Sequence, residues 1–137
     1  MRKLIFALML ATSSLAHAAG EAITVYKDAH CGCCNGWVEH LREAGYKVKT
    51  VNADDMSAVK KRLGVPDTMA SCHTGVVDAS GQVIEGHVPA EAVKKLIATP
   101  GVHGIAVPGM PANSPGMGKM DGNLVTVDFS GKAFSKD

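Results

Sequence analysis

The chain has no run of basic residues and almost no net charge of either sign. Its 137 residues carry fourteen Lys and Arg against thirteen Asp and Glu. If Arg2 and Lys3 leave with a leader, twelve basic side chains remain against thirteen acidic. A near-neutral surface without a basic stripe argues against nucleic acid as a partner and offers no attraction to an anionic membrane. The apolar block from Leu4 to Ala11 is far shorter than the roughly 20 residues a bilayer-spanning helix needs. No internal repeat, Ser/His/Asp set, paired-carboxylate arrangement or phosphate-cradling glycine loop stands out. The Gly-x-Gly patterns after Gly101 neither follow a strand nor open a helix, as a nucleotide signal must.

The start of the chain does carry a signal. Met1-Arg2-Lys3, the short apolar block and Ala16-His17-Ala18 have the layout of a secretory signal peptide cut after Ala18. The expectation is a leader at 1–18 and one domain at 19–137, which is all this length allows. With no cysteine at the cut, no lipid or membrane anchor is expected after cleavage.

Cysteine usage is unusual. Three of the four cysteines occupy four consecutive positions, Cys31-Gly32-Cys33-Cys34, directly after His30. Cysteines that staple a small exported fold are spread along the chain to close useful loops. Bonds within this trio would close almost nothing and stabilise little. The trio lies between a strand-like run, Ile23-Thr24-Val25-Tyr26, and a helix-like run from Gly36 to Ala44. The positive end of a helix dipole favours thiolate, which is both a metal ligand and a nucleophile.

In order, the sequence predicts a strand at 22–26 and a helix at 36–44 with Trp37, Val38, Leu41 and Ala44 on its apolar face. Asn35 is one candidate cap for that helix, and the cysteine turn itself is the other. A half-buried strand follows at 46–51, then a helix at 56–63 capped by Asp54 or Asp55. Residues 74–78 and 82–85 read as a hairpin, and Pro89 leads a third helix at 90–98. A Gly/Pro/Met-rich loop at 101–122, a possible extra strand at 124–129 and a frayed tail at 130–137 complete the chain. The order β-α-β-α-β-β-α, with Cys-x-x-Cys between the first strand and helix, is the thioredoxin-like α/β plan.

That plan sets the start of the strand after the second helix beside the cysteine turn. Ser71-Cys72-His73-Thr74 occupies the place, where thioredoxins put a cis-proline before the threonine. The fold should therefore bring Cys31, Cys33, Cys34 and Cys72 together with His73 beside them. Cys72 as a small buried core residue is the plainer alternative. Converging sulfurs favour a thiophilic metal, Cu(I) first and Zn(II) second. Structural zinc sites use paired modules from separate turns, whereas adjacent thiolates suit bridging between several Cu(I) ions.

Met110 and Met117 sit in the Gly/Pro loop, and thioether is a soft ligand that persists where thiols oxidise. The alternative for both is ordinary gap filling. His30 is a candidate ligand, or a cation that raises the thiolate fraction of Cys31. His40 is expected on the solvated face of its helix. His87 and His103 flank the third helix with no evident partner, and His17 leaves with the leader.

Val25-Tyr26-Lys27-Asp28 running into His30-Cys31-Gly32-Cys33-Cys34 and Trp37 resembles the exported copper-resistance proteins of the CopG type, a thioredoxin-like family of Gram-negative bacteria. Ser71-Cys72-His73-Thr74, Glu85-Gly86-His87-Val88-Pro89 and the loop from Pro108 to Met117 share the resemblance. Ala29 and Asn35 stand where the family commonly has Pro and Gly. The resemblance implies a periplasmic protein that binds copper through Cys31, Cys33, Cys34 and Cys72, serves copper resistance with other periplasmic copper-handling proteins, and does redox work on the metal or on thiols.

Two functions follow as expectations. One is a Cu(I)-binding protein. The other is a thiol–disulfide oxidoreductase with Cys31 attacking and Cys34 resolving.

Overall fold

The computed structural model describes residues 20–137; the expected leader and its cleavage point lie outside them. The first strand, β1 (Ala22–Lys27), alternates buried Ile23 and Val25 with partly exposed Thr24 and Tyr26. It runs into α1 (Gly32–Glu43), whose Cys34, Trp37, Val38 and Leu41 form the buried stripe. The helix starts four residues earlier than Gly36, so Cys31 is its N-cap and Asn35 lies inside its first turns. Helical periodicity becomes visible only at Trp37, because Gly32, Cys33 and Cys34 give no amphipathic pattern of their own.

Next come β2 (Lys47–Asn52) and α2 (Met56–Arg62), the latter capped by the Asp55 side chain, which accepts from Ala58 N–H. A 3₁₀ turn (Asp67–Met69) leads to the hairpin β3 (Thr74–Val77) and β4 (Val83–Glu85), followed by α3 (Ala90–Ile97). Gln82 ties the end of this helix down: its side-chain amide lies within hydrogen-bond range of the carbonyls of Leu96, Thr99 and Val102. The Leu96 and Thr99 carbonyls already accept from the Thr99 and Val102 N–H groups, so Gln82 adds a second donor to a turn that is itself backbone-bonded.

With β5 (Gly104–Ala106), β6 (Val125–Asp128) and β7 (Ala133–Lys136), the strands share one sheet in the order β2-β1-β3-β4-β5-β6-β7. The first four give the thioredoxin-like arrangement: β2 parallel to β1, then β3 antiparallel to β1 and β4 antiparallel to β3. The expected single final strand is present as β6 (Val125–Asp128), but it is not the last. The loop expected at 101–122 contains β5 (Gly104–Ala106), parallel to β4, and the tail expected to fray forms β7 (Ala133–Lys136). Three residues are too few to show alternation, and Ala133 to Lys136 holds one large apolar side chain, so neither strand has a local signature. The tail is held instead by tertiary contacts. Asp128 Oδ1 accepts from the N–H groups of Ser130 and Lys132, Leu124 and Asp137 exchange backbone bonds, and Phe134 packs against the core under Lys95.

The core lies between the sheet and one pair of helices. Ile23, Val25, Val77 and Ile84 meet Trp37, Val38 and Leu41 of α1 and Ala92, Val93 and Leu96 of α3. Tyr26 alternates to the other face, where Arg62 of α2 stands 5.5 Å from its ring centroid. Among the described residues no helix is long and apolar enough to cross a membrane.

Candidate metal centre

The turn between β1 and α1 is tied off locally. Asp28 accepts through its carboxylate from His30 N–H and through its carbonyl from Cys31 N–H, which turns the chain into the helix. Cys31 then caps α1, and Cys33 and Cys34 lie in its first turn with N–H groups no helical carbonyl can reach. Cys34 points inward and is fully buried, while Cys31 and Cys33 are partly exposed. Cys31 and Cys34 form a disulfide, and Cys33 and Cys72 are free thiols.

Cys72 arrives from the neighbouring strand, two residues before β3 begins. Because Tyr26 pairs with Thr74, and Thr74 with Glu85, the residues just before β3 and just after β4 gather at the end of β1 where the cysteine turn begins. The Cys33 sulfur stands 3.6 Å from that of Cys31 and 3.9 Å from that of Cys72. All four sulfurs lie within 4.8 Å of one another. They border an open cleft of about 450 Å³ whose walls include Cys31, Cys33, Ser71, Cys72 and Met110.

Two devices hold the Cys72 segment. Glu85, fully buried, accepts from Ser71 N–H at 2.7 Å and from the Thr74 hydroxyl at 2.6 Å, and it pairs with Lys60 of α2 at 2.5 Å. The Ser71 hydroxyl donates to the Gly109 carbonyl, which ties the Met-rich loop to the same turn. Further along, that loop presses on α1. A Cβ at Gly116 (φ +88°) would sit 2.7 Å from the backbone nitrogen of Trp37, so only glycine allows this approach. Gly86 (φ +76°) is equally confined between the Val107 carbonyl and Ser71.

The histidines behave differently from their sequence reading. His73 is entirely buried, stacked on Trp37 with ring centroids 4.3 Å apart, and it donates from Nε2 to the Gly86 carbonyl. Its Nδ1 has no hydrogen-bond partner. His87, for which the sequence suggested no partner, is also buried: Nδ1 donates to Pro115 O at 2.7 Å and Nε2 lies 3.5 Å from the Cys72 sulfur. The one signal for it was its place in Glu85-Gly86-His87-Val88-Pro89; periodicity could not supply one. His40 is not on a solvated face but half-buried, accepting from Ala90 N–H at the start of α3. His30 is exposed. Met110 borders the cleft at 55% exposure; Met117, at 39%, is not among the residues that border it.

Burial dominates the protonation of this region. It pushes the Cys72 thiol up, against a hydrogen bond from Ser71 that acts the other way. It lowers His87, and it drives His73 down to about 3, with the neighbouring His87 adding to the effect. Both imidazoles are therefore neutral in the folded chain near pH 7. The unfolded chain takes up a proton near the ordinary histidine value of about 6.5, while folded His73 resists until about pH 3. Stability is complete above 6.5 and falls as pH drops through that window, because the unfolded state binds more protons. Urea melts of wild type and His73→Phe from pH 7 to 4 should show a shallower decline in the variant, and equal slopes would assign the decline to other groups.

A family model described as a protein of unknown function, DUF411, matches residues 69–117, from the end of the 3₁₀ turn through Cys72, His73 and His87 to Met117. No curated protein matches the chain. Two solved structures, titled copper resistance protein CopG, forms 1 and 2, each share 48% identity with it, over 86% of this chain and 98% of theirs, at TM-scores of 0.74 and 0.75. With nearly half of all residues identical over almost the full length of those structures, this chain belongs to the CopG family of copper resistance proteins.

Proposed function

We propose that the protein binds copper as Cu(I) in the periplasm and serves copper resistance by sequestering the ion or handing it to other periplasmic copper-handling proteins. The ligands are the thiolates of Cys31, Cys33, Cys34 and Cys72, with Met110 and Met117 as auxiliary thioethers. The observation that carries the reading is the convergence of four sulfurs, contributed by two segments about forty residues apart, within 4.8 Å. Soft sulfur with no carboxylate in the set favours Cu(I), with zinc second. Neighbouring sulfurs on one helical turn suit bridging between two or more ions. Export and cleavage after Ala18 belong to the same reading.

The Cys31–Cys34 disulfide withdraws two of the four ligands, so full copper binding requires reduction. Anaerobic Cu(I) titration of the reduced chain should saturate above one ion per chain, and the disulfide form should take up fewer. Saturation of the reduced chain at one ion, or equal uptake by both forms, would reject the bridged four-sulfur site. Met110→Ala should lower affinity modestly, by about threefold to tenfold, with a smaller effect from Met117→Ala. No change in either variant would remove the thioethers from the ligand set.

The second reading, a thiol–disulfide oxidoreductase using Cys31 and Cys34, is favoured by the disulfide itself, which joins a partly exposed sulfur to a buried one. The two readings join in one balanced step. Two Cu(II) ions each take one electron from the reduced pair, giving two Cu(I), one disulfide and two protons.

A further inference from the structure

The buried side of Cys72 carries a ligand arrangement separate from the cysteine trio. Cys72, His73 and His87 each offer a donor atom, and these atoms lie within 4.8 Å of one another. Neither imidazole is free to choose its tautomer. A backbone carbonyl can only accept, so the Gly86 carbonyl holds the His73 proton on Nε2 and the Pro115 carbonyl holds the His87 proton on Nδ1. What remains is a bare lone pair on His73 Nδ1 and another on His87 Nε2. Metal-binding histidines are oriented in just this way, with the non-ligating N–H donated to a carbonyl. The His87 lone pair is 3.5 Å from the Cys72 sulfur. The His73 lone pair has no partner at all in a fully buried residue, an unfavourable state if nothing binds there. The rings are also held in place, His73 by its stack on Trp37 and His87 by an edge contact with His73 at 4.9 Å.

We propose that Cys72, His73 and His87 form a second, inner metal site that holds one Cu(I) through a sulfur and two imidazole nitrogens. Charge selects the ion. Cys72 thiolate and Cu(I) cancel, whereas a divalent ion would leave a net positive charge in a buried pocket, where unpaired charge is costly. Size is compatible as well. Metal–sulfur and metal–nitrogen bonds of about 2.3 and 2.0 Å at a trigonal angle set the two atoms about 3.7 Å apart, close to the Cys72–His87 separation. The site needs none of Cys31, Cys33 or Cys34, so it persists when the Cys31–Cys34 disulfide is closed. Sharing Cys72 makes it a step inward from the four-sulfur cluster.

The full chain with Cys31, Cys33 and Cys34 replaced by serine keeps only the inner set. Titrated anaerobically with Cu(I) against a chromophoric chelator, it should bind one ion per chain. Nitrogen-15 spectra of its histidines should show His73 Nδ1 and His87 Nε2 moving on binding while the ring nitrogens of His40 and His103 stay put. In the same background, His87→Ala should weaken binding at least tenfold. Absence of binding, unmoved His73 and His87 nitrogens, or unchanged affinity in His87→Ala would each overturn the inner site. The spectra need no histidine replaced, so they decide the matter even if a histidine variant folds poorly. The four-sulfur proposal is judged separately on the reduced wild-type chain. More than one ion there with none in the triple variant removes the inner site alone. One ion in both removes the bridged cluster alone.

Discussion

Cys72→Ser is expected to lower the Cu(I) affinity of the reduced protein by about two orders of magnitude or more. Loss of a mere supporting contact around a metal costs 10–100-fold, and in the proposed site this substitution removes a ligand. Serine keeps the volume and the Ser71 neighbourhood but replaces a soft donor with a hard one that Cu(I) does not favour. Exchange at the Cys31–Cys34 pair should proceed at its wild-type rate, because Cys72 is not part of the disulfide and its sulfur makes a hydrogen-bond contact with Cys33, at 3.9 Å. Chelator competition and reaction with a small disulfide measure the two quantities on one sample. A variant that keeps its copper affinity removes Cys72 from every metal site argued above. A variant that loses exchange and keeps copper would make the dithiol reading the stronger one.

Glu85→Ala is expected to cost about 3 kcal/mol of stability. Glu85 is fully buried and compensated on every side, by Lys60, Ser71 N–H and the Thr74 hydroxyl. Removing one partner of a buried pair costs about 3–5 kcal/mol because the survivor is left uncompensated. The lower end applies here, since the Lys60 side chain keeps 13% of its exposure and can reach water. Glu85→Gln should cost less, retaining an acceptor for the backbone. Lys60→Met with Glu85→Gln should lie closer to wild type than Glu85→Ala does, because no charge is stranded. Urea midpoints at constant slope read all three. A loss below about 1 kcal/mol in Glu85→Ala would mean that the pair is hydrated and that the Ser71–Cys72 turn is held chiefly by the Gly109 bond.

These two effects divide what could be read in advance from what could not. The trio at Cys31, Cys33 and Cys34 is a local matter: a strand, a tight turn and a helix in unbroken succession need only neighbouring residues, and their order was readable even though the helix begins at Gly32 rather than Gly36. The approach of Cys72 was readable one level up, because the first four strands follow a known plan in which the start of β3 adjoins that turn. Glu85 and His87 were not readable in this way. Each follows from the pairing of Thr74 with Glu85 across β3 and β4, which sets a carboxylate under Ser71 and an imidazole beside the Cys72 sulfur. His40 was misplaced for a related reason. Its position on a helical wheel is polar, but the start of α3 comes down over it and donates a backbone N–H.

The sequence by itself determined the cysteine turn, the order of elements through α3 and the sulfur-rich character of the site, since these depend on residue type and on contacts between near neighbours. Only the tertiary structure decided the roles of His73, His87 and Glu85, the strands β5 and β7, and the closure of the Cys31–Cys34 bond. Buried polar groups take their partners from whichever backbone the sheet brings alongside, and that choice is made by strand register across long separations rather than by any pattern along the chain.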